Sequence, residues 1–388
     1  MGIRLIYLDT FGASGGVGRV SRELIAALSR LTPVALAGCS HVVDSLRDHI
    51  PETVPLHNLT PSKTSFRRIG YEFATRICKP RSLTLSSLLL SSLRYRFPQS
   101  SILVNFPQIL PPPREGLRYS IFIHDLNWHS FPGNFGNPQE IDACCRQWCR
   151  GADFIFCNSE FTRSELLSRY PIPHEKTVAT PLAPFSTCGT ESVDASVLHR
   201  FNLREDSFFL FPGVIGLHKG HDLLAAALKQ ANGTLPVVVT CGRPELAASP
   251  SSAYAAYLAD LSKDFAGLEA TGKLVILQGL TDAEMATLRQ SCRAFVLPSR
   301  YEGYGFPLAE AIMLGKPFLH SEIPAFQEIT ARHCFPAKER RSFSNERDFT
   351  TLLQDYSQST PLPASMSANQ WTWQDSAQLI TARLVPTK

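Results

Sequence analysis

In the stretch Pro298-Ser299-Arg300-Tyr301-Glu302-Gly303-Tyr304-Gly305-Phe306-Pro307-Leu308-Ala309-Glu310-Ala311, an apolar strand run, Ala294–Leu297, gives way to a glycine-bearing loop and then to a helix start. Pro307 suits the first position of a helix, where its missing N–H leaves nothing unpaired. Backbone N–H groups of such a loop and helix start form an anion site suited to a pyrophosphate. Gly303 and Gly305 have no side chain, so a ligand can come close to the main chain. Glu302 stands in the loop, within reach of a sugar hydroxyl. Glu310 is expected in the first turn of the helix, where a carboxylate can bond both hydroxyls of a ribose.

Outward from this stretch the same rhythm repeats. Short apolar runs at Ile3–Asp9, Ser101–Asn105, Ser120–His124, Asp153–Cys157 and Thr177–Thr180 read as strands, and so do Phe208–Gly213, Pro236–Cys241, Lys273–Gly279, Ala294–Pro298 and Pro317–His320. Helical patterns lie between them at Arg19–Leu31, Pro138–Arg150, Glu160–Arg169, Lys219–Gln230, Asp282–Ser291 and Pro307–Leu314. Strands alternating with helices predict βαβ units and parallel sheets covered on both faces. A polar stretch without period, Phe185–Thr190, separates two such halves. The expected organisation is an α/β chain of two tandem Rossmann-like, doubly wound domains facing a cleft. Residues 1–185 form the first, residues 191–365 the second, and residues 366–388 a last helix that crosses back. Ligands in such sheets bind at the carboxyl ends of the strands.

The chain has 388 residues, which at roughly 100–200 per domain agrees with two domains. With 44% hydrophobic and 19% charged residues it is too apolar for a disordered chain. A dinucleotide-binding site is disfavoured, because Gly12-Ala13-Ser14-Gly15-Gly16-Val17-Gly18 does not fit Gly-x-Gly-x-x-Gly. No run of about 18 apolar residues is present for a membrane span, and the first residues lead into a strand rather than a signal peptide, so a cytoplasmic protein is expected. The cysteines lack Cys-x-x-Cys spacing and read as buried thiols rather than a zinc site. Net charge is +4, and the basic excess gathers between Lys63 and Arg96, where Arg67, Arg68, Arg76, Lys79, Arg81 and Arg94 meet a single acid, Glu72. Interleaved with Phe66, Tyr71, Phe73 and Tyr95, this segment suits an anionic membrane surface, with a solvated face as the plain alternative. Nucleic-acid binding ranks below both.

The two glutamates eight positions apart around Gly-Tyr-Gly-Phe-Pro resemble the signature of the retaining nucleotide-sugar glycosyltransferases of family 4. Gly15-Gly16-Val17-Gly18-Arg19 resembles that family's first loop, His124-Asp125-Leu126 its His-Asp segment, and Asn158-Ser159-Glu160-Phe161-Thr162 its helix-opening motif. Gly279-Leu280-Thr281-Asp282 and Trp371-Thr372-Trp373-Gln374 are similar to the loop before the donor site and to the start of the last helix. Phe211-Pro212-Gly213-Val214-Ile215-Gly216-Leu217-His218-Lys219-Gly220 fits with one departure: Val214 and His218 stand where an arginine commonly accompanies the lysine. Either one cation is missing or a charged His218 replaces it.

The resemblance implies a GT-B fold and transfer of a hexose, GDP-mannose being the favoured donor and UDP- or dTDP-sugars the alternatives. It implies a lipid-linked or polysaccharide acceptor in surface glycan synthesis, and a peripheral place on the inner membrane face. His124, Glu302 and Lys219 become the expected catalytic residues. Gly15, Gly16, Gly213, His218, Lys219, Gly303, Tyr304, Gly305, Phe306 and Glu310 become the expected donor contacts. No metal is expected, since the sequence lacks Asp-x-Asp. The rivals are a GT-B epimerase or phosphorylase, and a degenerate transferase kept as a partner subunit.

Overall fold

A computed structural model describes residues 2–12, 15–59, 85–105, 112–113, 115–185, 193–332, 341–359 and 371–385. The stretch 60–84, which carries most of the basic segment, lies outside the described residues. Two compact units form. The first comprises Met1–Leu126, Pro138–Ala183 and Trp371–Lys388, and the second comprises Asn127–Asn137 and Pro184–Gln370.

The first unit is built on seven parallel strands: β1 (Leu5–Leu8), β2 (Val34–Gly38), β3 (Leu56–Asn58), β4 (Ser101–Asn105), β5 (Ser120–Ile123), β6 (Ile155–Cys157) and β7 (Thr177–Ala179), in the order β3-β2-β1-β4-β5-β6-β7. Leu5 of β1 pairs with Val34 on one side and Ser101 on the other. Every residue of β1 and β5 is buried, as expected where helices cover both faces of a parallel sheet. Helix Gly15–Ser29 buries Val20, Leu24, Ile25 and Leu28, one face at helical spacing. The closing helix Trp373–Leu384 starts in a capping box between Thr372 and Asp375 and packs on helix Gly15–Ser29. Its Ser376 Oγ donates to the Pro181 carbonyl at 2.6 Å.

The second unit has six parallel strands: β8 (Phe209–Phe211), β9 (Val237–Val239), β10 (Leu274–Ile276), β11 (Ala294–Leu297), β12 (Phe318–Ser321) and β13 (Ser342–Phe343), in the order β10-β9-β8-β11-β12-β13. Phe209, Phe211, Val239, Leu228, Phe265 and Val296 meet in its core. In each sheet the strand order runs outward and then returns to the first strand's other side. The reversal falls between β1 and β4 in one unit and between β8 and β11 in the other. Such switch points leave a crevice at the strands' carboxyl ends.

Two features differ from expectation. Strands β2, β3 and β13 escaped the sequence reading: β2 is Val-Ala-Leu-Ala-Gly, and Ala and Gly carry little strand propensity of their own, so its neighbours decide it. Residues 127–137 also depart from the linear division, joining the second unit although they lie within 1–185. Ser251 Oγ donates to the Gly133 carbonyl at 2.6 Å, and Leu217 N–H donates to Asn134 Oδ1 at 2.9 Å, which ties the segment down.

Candidate active site

The β8/β11 switch point of the second unit holds the densest group of expected site residues. After β8 the chain passes Gly213 and turns at Gly216 before reaching Lys219. After β11 it passes Ser299 and reaches Glu302. Lys219 Nζ lies 2.8 Å from both carboxylate oxygens of Glu302, and Ser299 Oγ donates to Oε1 at 2.7 Å. Both charged side chains are largely withdrawn from solvent, at 18% and 13% exposure. The two loops are joined twice more. Arg300 N–H donates to the His218 carbonyl at 2.7 Å, and the Arg300 guanidinium grips the Asp222 carboxylate at 2.7 and 2.8 Å. Gly220 makes the join possible: its φ is +77°, and a Cβ there would stand 2.0 Å from the Pro298 carbonyl oxygen.

Gly303, Tyr304 and Gly305 lead from Glu302 into helix Phe306–Met313, whose N-cap is Gly305 at φ +103°. A Cβ at Gly305 would stand 2.7 Å from the Phe326 ring. Phe306 stacks on Phe185 at 4.4 Å, and Tyr304 meets its edge at 5.1 Å. Pro307 occupies the second helical position. Glu310 is therefore not in the first turn, as expected, but one residue beyond it, on the face the helix buries. Its carboxylate is 3% exposed and pairs with the Arg289 guanidinium at 3.1 Å, from helix Asp282–Ser291.

His218 is not the replacement cation that the sequence allowed. Leu217 N–H is a fixed donor and takes Asn134 Oδ1, so the Asn134 amide must turn its Nδ2–H₂ toward His218 Nδ1, 2.9 Å away. His218 Nδ1 thus accepts, and a neutral ring carries its proton on Nε2. Burial, helped by the neighbouring Lys219 charge, pushes its pKa down to about 2.

Gly15, Gly16 and His124 belong to the first unit. The two glycines open the helix after β1, and His124 follows β5. His124 is 5% exposed, and burial lowers its pKa to about 3. Its Nε2 meets Asn105 Oδ1 at 2.9 Å, and Asn158 Nδ2 donates to its carbonyl at 2.6 Å. Asn105, Asp9, Asn134, Ser299 and Arg289 all escaped the sequence reading. Asp9 and Asn105 did carry a signal, each a polar residue at the carboxyl end of an apolar strand run.

Two parallel α/β units of this topology are the GT-B fold, and the solved structures agree. Anabaena HepE in complex with UDP and glucose superposes with a TM-score of 0.66 at 12% identity, covering 99% of this chain and 96% of that one. WaaG, a glycosyltransferase involved in lipopolysaccharide biosynthesis, superposes with a TM-score of 0.63 at 13% identity, covering 97% and 95%. The fold is the one shared by these GT-B structures, and residues 199–355 of the chain match the family model "Glycosyl transferases group 1". Among sequence relatives, O-antigen chain mannosyltransferase B of Escherichia coli is 24% identical over 334 residues, covering 81% of this chain and 80% of the relative. O-antigen chain mannosyltransferase RfbU of Salmonella typhimurium strain LT2 is 27% identical over 331 residues, covering 84% of each.

Proposed function

We propose that the protein is a retaining, metal-independent transferase. It moves a hexose from a nucleotide sugar, with mannose from GDP-mannose as the leading donor, onto a lipid-linked or polysaccharide acceptor of an O-antigen-type surface glycan. The observation that carries this reading is the Lys219–Glu302 pair at the β8/β11 switch, with Glu310 behind it on the adjoining helix. Negative charge builds on the departing diphosphate in such a transfer, and preorganised donors aimed at it lower the barrier. Lys219 and the N–H groups at the start of helix Phe306–Met313 supply that stabilisation. Glu302 takes hydroxyls of the transferred sugar and Glu310 the ribose. The two O-antigen mannosyltransferase relatives support the choice of sugar and of pathway.

A thermal-shift panel of GDP, UDP, dTDP and their sugars, with EDTA throughout, tests the donor. A ligand at 100 times its Kd adds about 2.7 kcal/mol. The expected outcome is a shift with GDP and GDP-mannose that is lost in Glu310→Ala. A shift confined to UDP or dTDP overturns the base, and a shift that EDTA removes overturns metal independence. Peripheral membrane attachment through Lys63–Arg96 belongs to the same proposal. Replacing Arg67, Arg68, Arg76 and Arg81 with Gln should abolish binding to anionic vesicles while leaving donor hydrolysis intact. Among the described residues no helix is long and apolar enough to cross a membrane.

A further inference from the structure

The amino ends of β4 and β5 border a cavity of about 290 Å³ in the first unit. Ligands of such sheets bind at the opposite, carboxyl ends, so this space is separate from the crevice of the switch point. Ser101 and Ser120, the first residues of the two strands, line it together with Arg94, Arg118, Asp153 and Arg383. Three arginines thus meet one carboxylate around a single space. The charges come from separate elements: Arg94 from the last turn of helix Leu85–Arg96, Arg118 from the approach to β5, Asp153 from the approach to β6, and Arg383 from the last turn of helix Trp373–Leu384.

Backbone carbonyls fix Arg94 without neutralising it. Its Nη1 donates to the Ser100 carbonyl at 2.7 Å, and its Nη2 and Nε donate to the Arg118 carbonyl at 2.6 and 3.3 Å. Two of its five N–H donors are left without a partner among the described residues. Burial lowers the Arg94 pKa, and the Arg118 charge lowers it further against the opposing pull of Asp153. Arg118 meets Asp153 at 3.3 Å, and Arg383 lies over the Phe154 ring at 5.9 Å with no carboxylate partner among the described residues. Ser120, 2% exposed, accepts from the Phe154 N–H at 3.3 Å, and its own proton has no acceptor among the described residues. Like charges gathered round one space repel until an anion enters it. One carboxylate against three guanidinium groups leaves two positive charges to be met. A phosphomonoester carries a charge of about −1.5 to −2 at pH 7 and three acceptor oxygens, which matches both the charge and the number of arginines. A carboxylate ligand would meet only half that charge and offers two oxygens.

We propose that this cavity is a phosphate site of the first unit, in which Arg94, Arg118 and Arg383 hold a phosphomonoester and Ser120 donates to one of its oxygens. The site is built from the first unit alone and does not rest on the sugar-transfer reading. The carrier of the phosphate is a lipid headgroup or a small soluble molecule. Helix Leu85–Arg96, which brings Arg94 to the cavity, exposes Leu88 and Tyr95, seven positions apart on one helical face, which suits a lipid carrier.

The test titrates the full-length protein with inorganic phosphate by calorimetry, with chloride holding the ionic strength constant. Binding is expected in the unmodified protein, and Kd should rise by about tenfold or more in Arg118→Gln and again when Arg383→Gln is added. Both side chains are exposed, so these variants keep the fold. Arg47→Gln, at an exposed arginine of the first unit outside the cavity, should leave Kd unchanged. Lys219→Met separates this site from the proposed donor site: phosphate binding that survives in Lys219→Met and is lost in the double arginine variant belongs to the cavity. An unchanged Kd in the double arginine variant, or no binding to the unmodified protein, overturns the site. Vesicles of phosphatidylcholine with phosphatidic acid or, at matched surface charge, with phosphatidylglycerol then identify the carrier. A preference for the monoester lipid that the double arginine variant abolishes puts the phosphate on a lipid, and phosphate binding without that preference makes the carrier a small soluble molecule. Should the protein transfer no sugar from any donor, the proposed function fails, and the phosphate titration still decides the site.

Discussion

Lys219 Nζ sits 2.8 Å from each oxygen of the Glu302 carboxylate, and the two residues, 83 positions apart, arrive from different strands of one sheet. The cation proposed for a leaving diphosphate and the carboxylate proposed for sugar hydroxyls are thus each other's partners. Removing either leaves the other largely buried and uncompensated. Lys219→Met should lower kcat by about 10²–10³, the usual loss for one transition-state donor. Glu302→Gln should raise the donor KM as well, because it removes sugar contacts. Steady-state transfer assays of both single variants and the double variant check this; additive losses would show that the pair does not act as a unit.

Glu310 depends on Arg289 in the same way, at 3.1 Å and nearly out of solvent. Arg289→Met should destabilise the second unit by about 3–5 kcal/mol, since it takes the opposing charge away from a buried carboxylate. Arg289→Met combined with Glu310→Gln should recover much of that stability. Urea unfolding of the single and double variants reads the difference, and a double variant as unstable as Arg289→Met would sink the pairing as the cause.

Gly220 and Gly116 separate backbone strain from collision. Both have positive φ, at +77° and +85°, but a Cβ meets the Pro298 carbonyl at 2.0 Å in one and nothing within 4 Å in the other. Gly116→Ala should cost about 1–2 kcal/mol, the strain of a left-handed residue alone. Gly220→Ala should cost at least about 2 kcal/mol more than that, and should also weaken donor binding by shifting Lys219. Equal unfolding midpoints for the two variants would contradict the close approach.

Stability should fall with pH below neutrality. His124, His218 and His221 are kept neutral by burial, with pKa values near 3, 2 and 3 against 6.5 in an unfolded chain. Between about pH 6.5 and 3 the unfolded state therefore binds more protons, and each of the three subtracts up to about 1.4 kcal/mol per pH unit as pH drops. His221 is fully buried, and neither ring nitrogen has a hydrogen-bond partner among the described residues. His221→Leu should stabilise the protein by about 1 kcal/mol at pH 7 and flatten the pH slope. Denaturant melts at pH 7.5, 6.5 and 5.5 test both; an unchanged slope in the variant would remove His221 from the account.

Much of the architecture is readable from the linear pattern. Ser101–Asn105, Glu160–Arg169 and Asp282–Ser291 begin and end where the apolar period and the capping residues put them. The stretch from Ser299 to Glu310 is recognisable because two glycines, a proline and two glutamates fall within a few residues of each other. Glu310 falls one residue beyond the expected first turn because Pro307 is accepted at either of the first two helical positions. His218 was open to two charge states because its decisive neighbour, Asn134, lies far away in sequence.

Two parallel α/β sheets and a glycine-bearing loop between β11 and its following helix follow from the order of residues alone, since alternation of apolar runs and local turn chemistry act over a few positions. Which charges pair, and where protons sit, is settled by the folded arrangement. Lys219 with Glu302, Arg289 with Glu310, Asn134 with His218, and Asp9 through Asn105 with His124 are all joined by chain crossovers rather than by spacing. A buried ionisable group takes its state from burial and from the donors and acceptors that face it, and those are known only once the strands stand side by side.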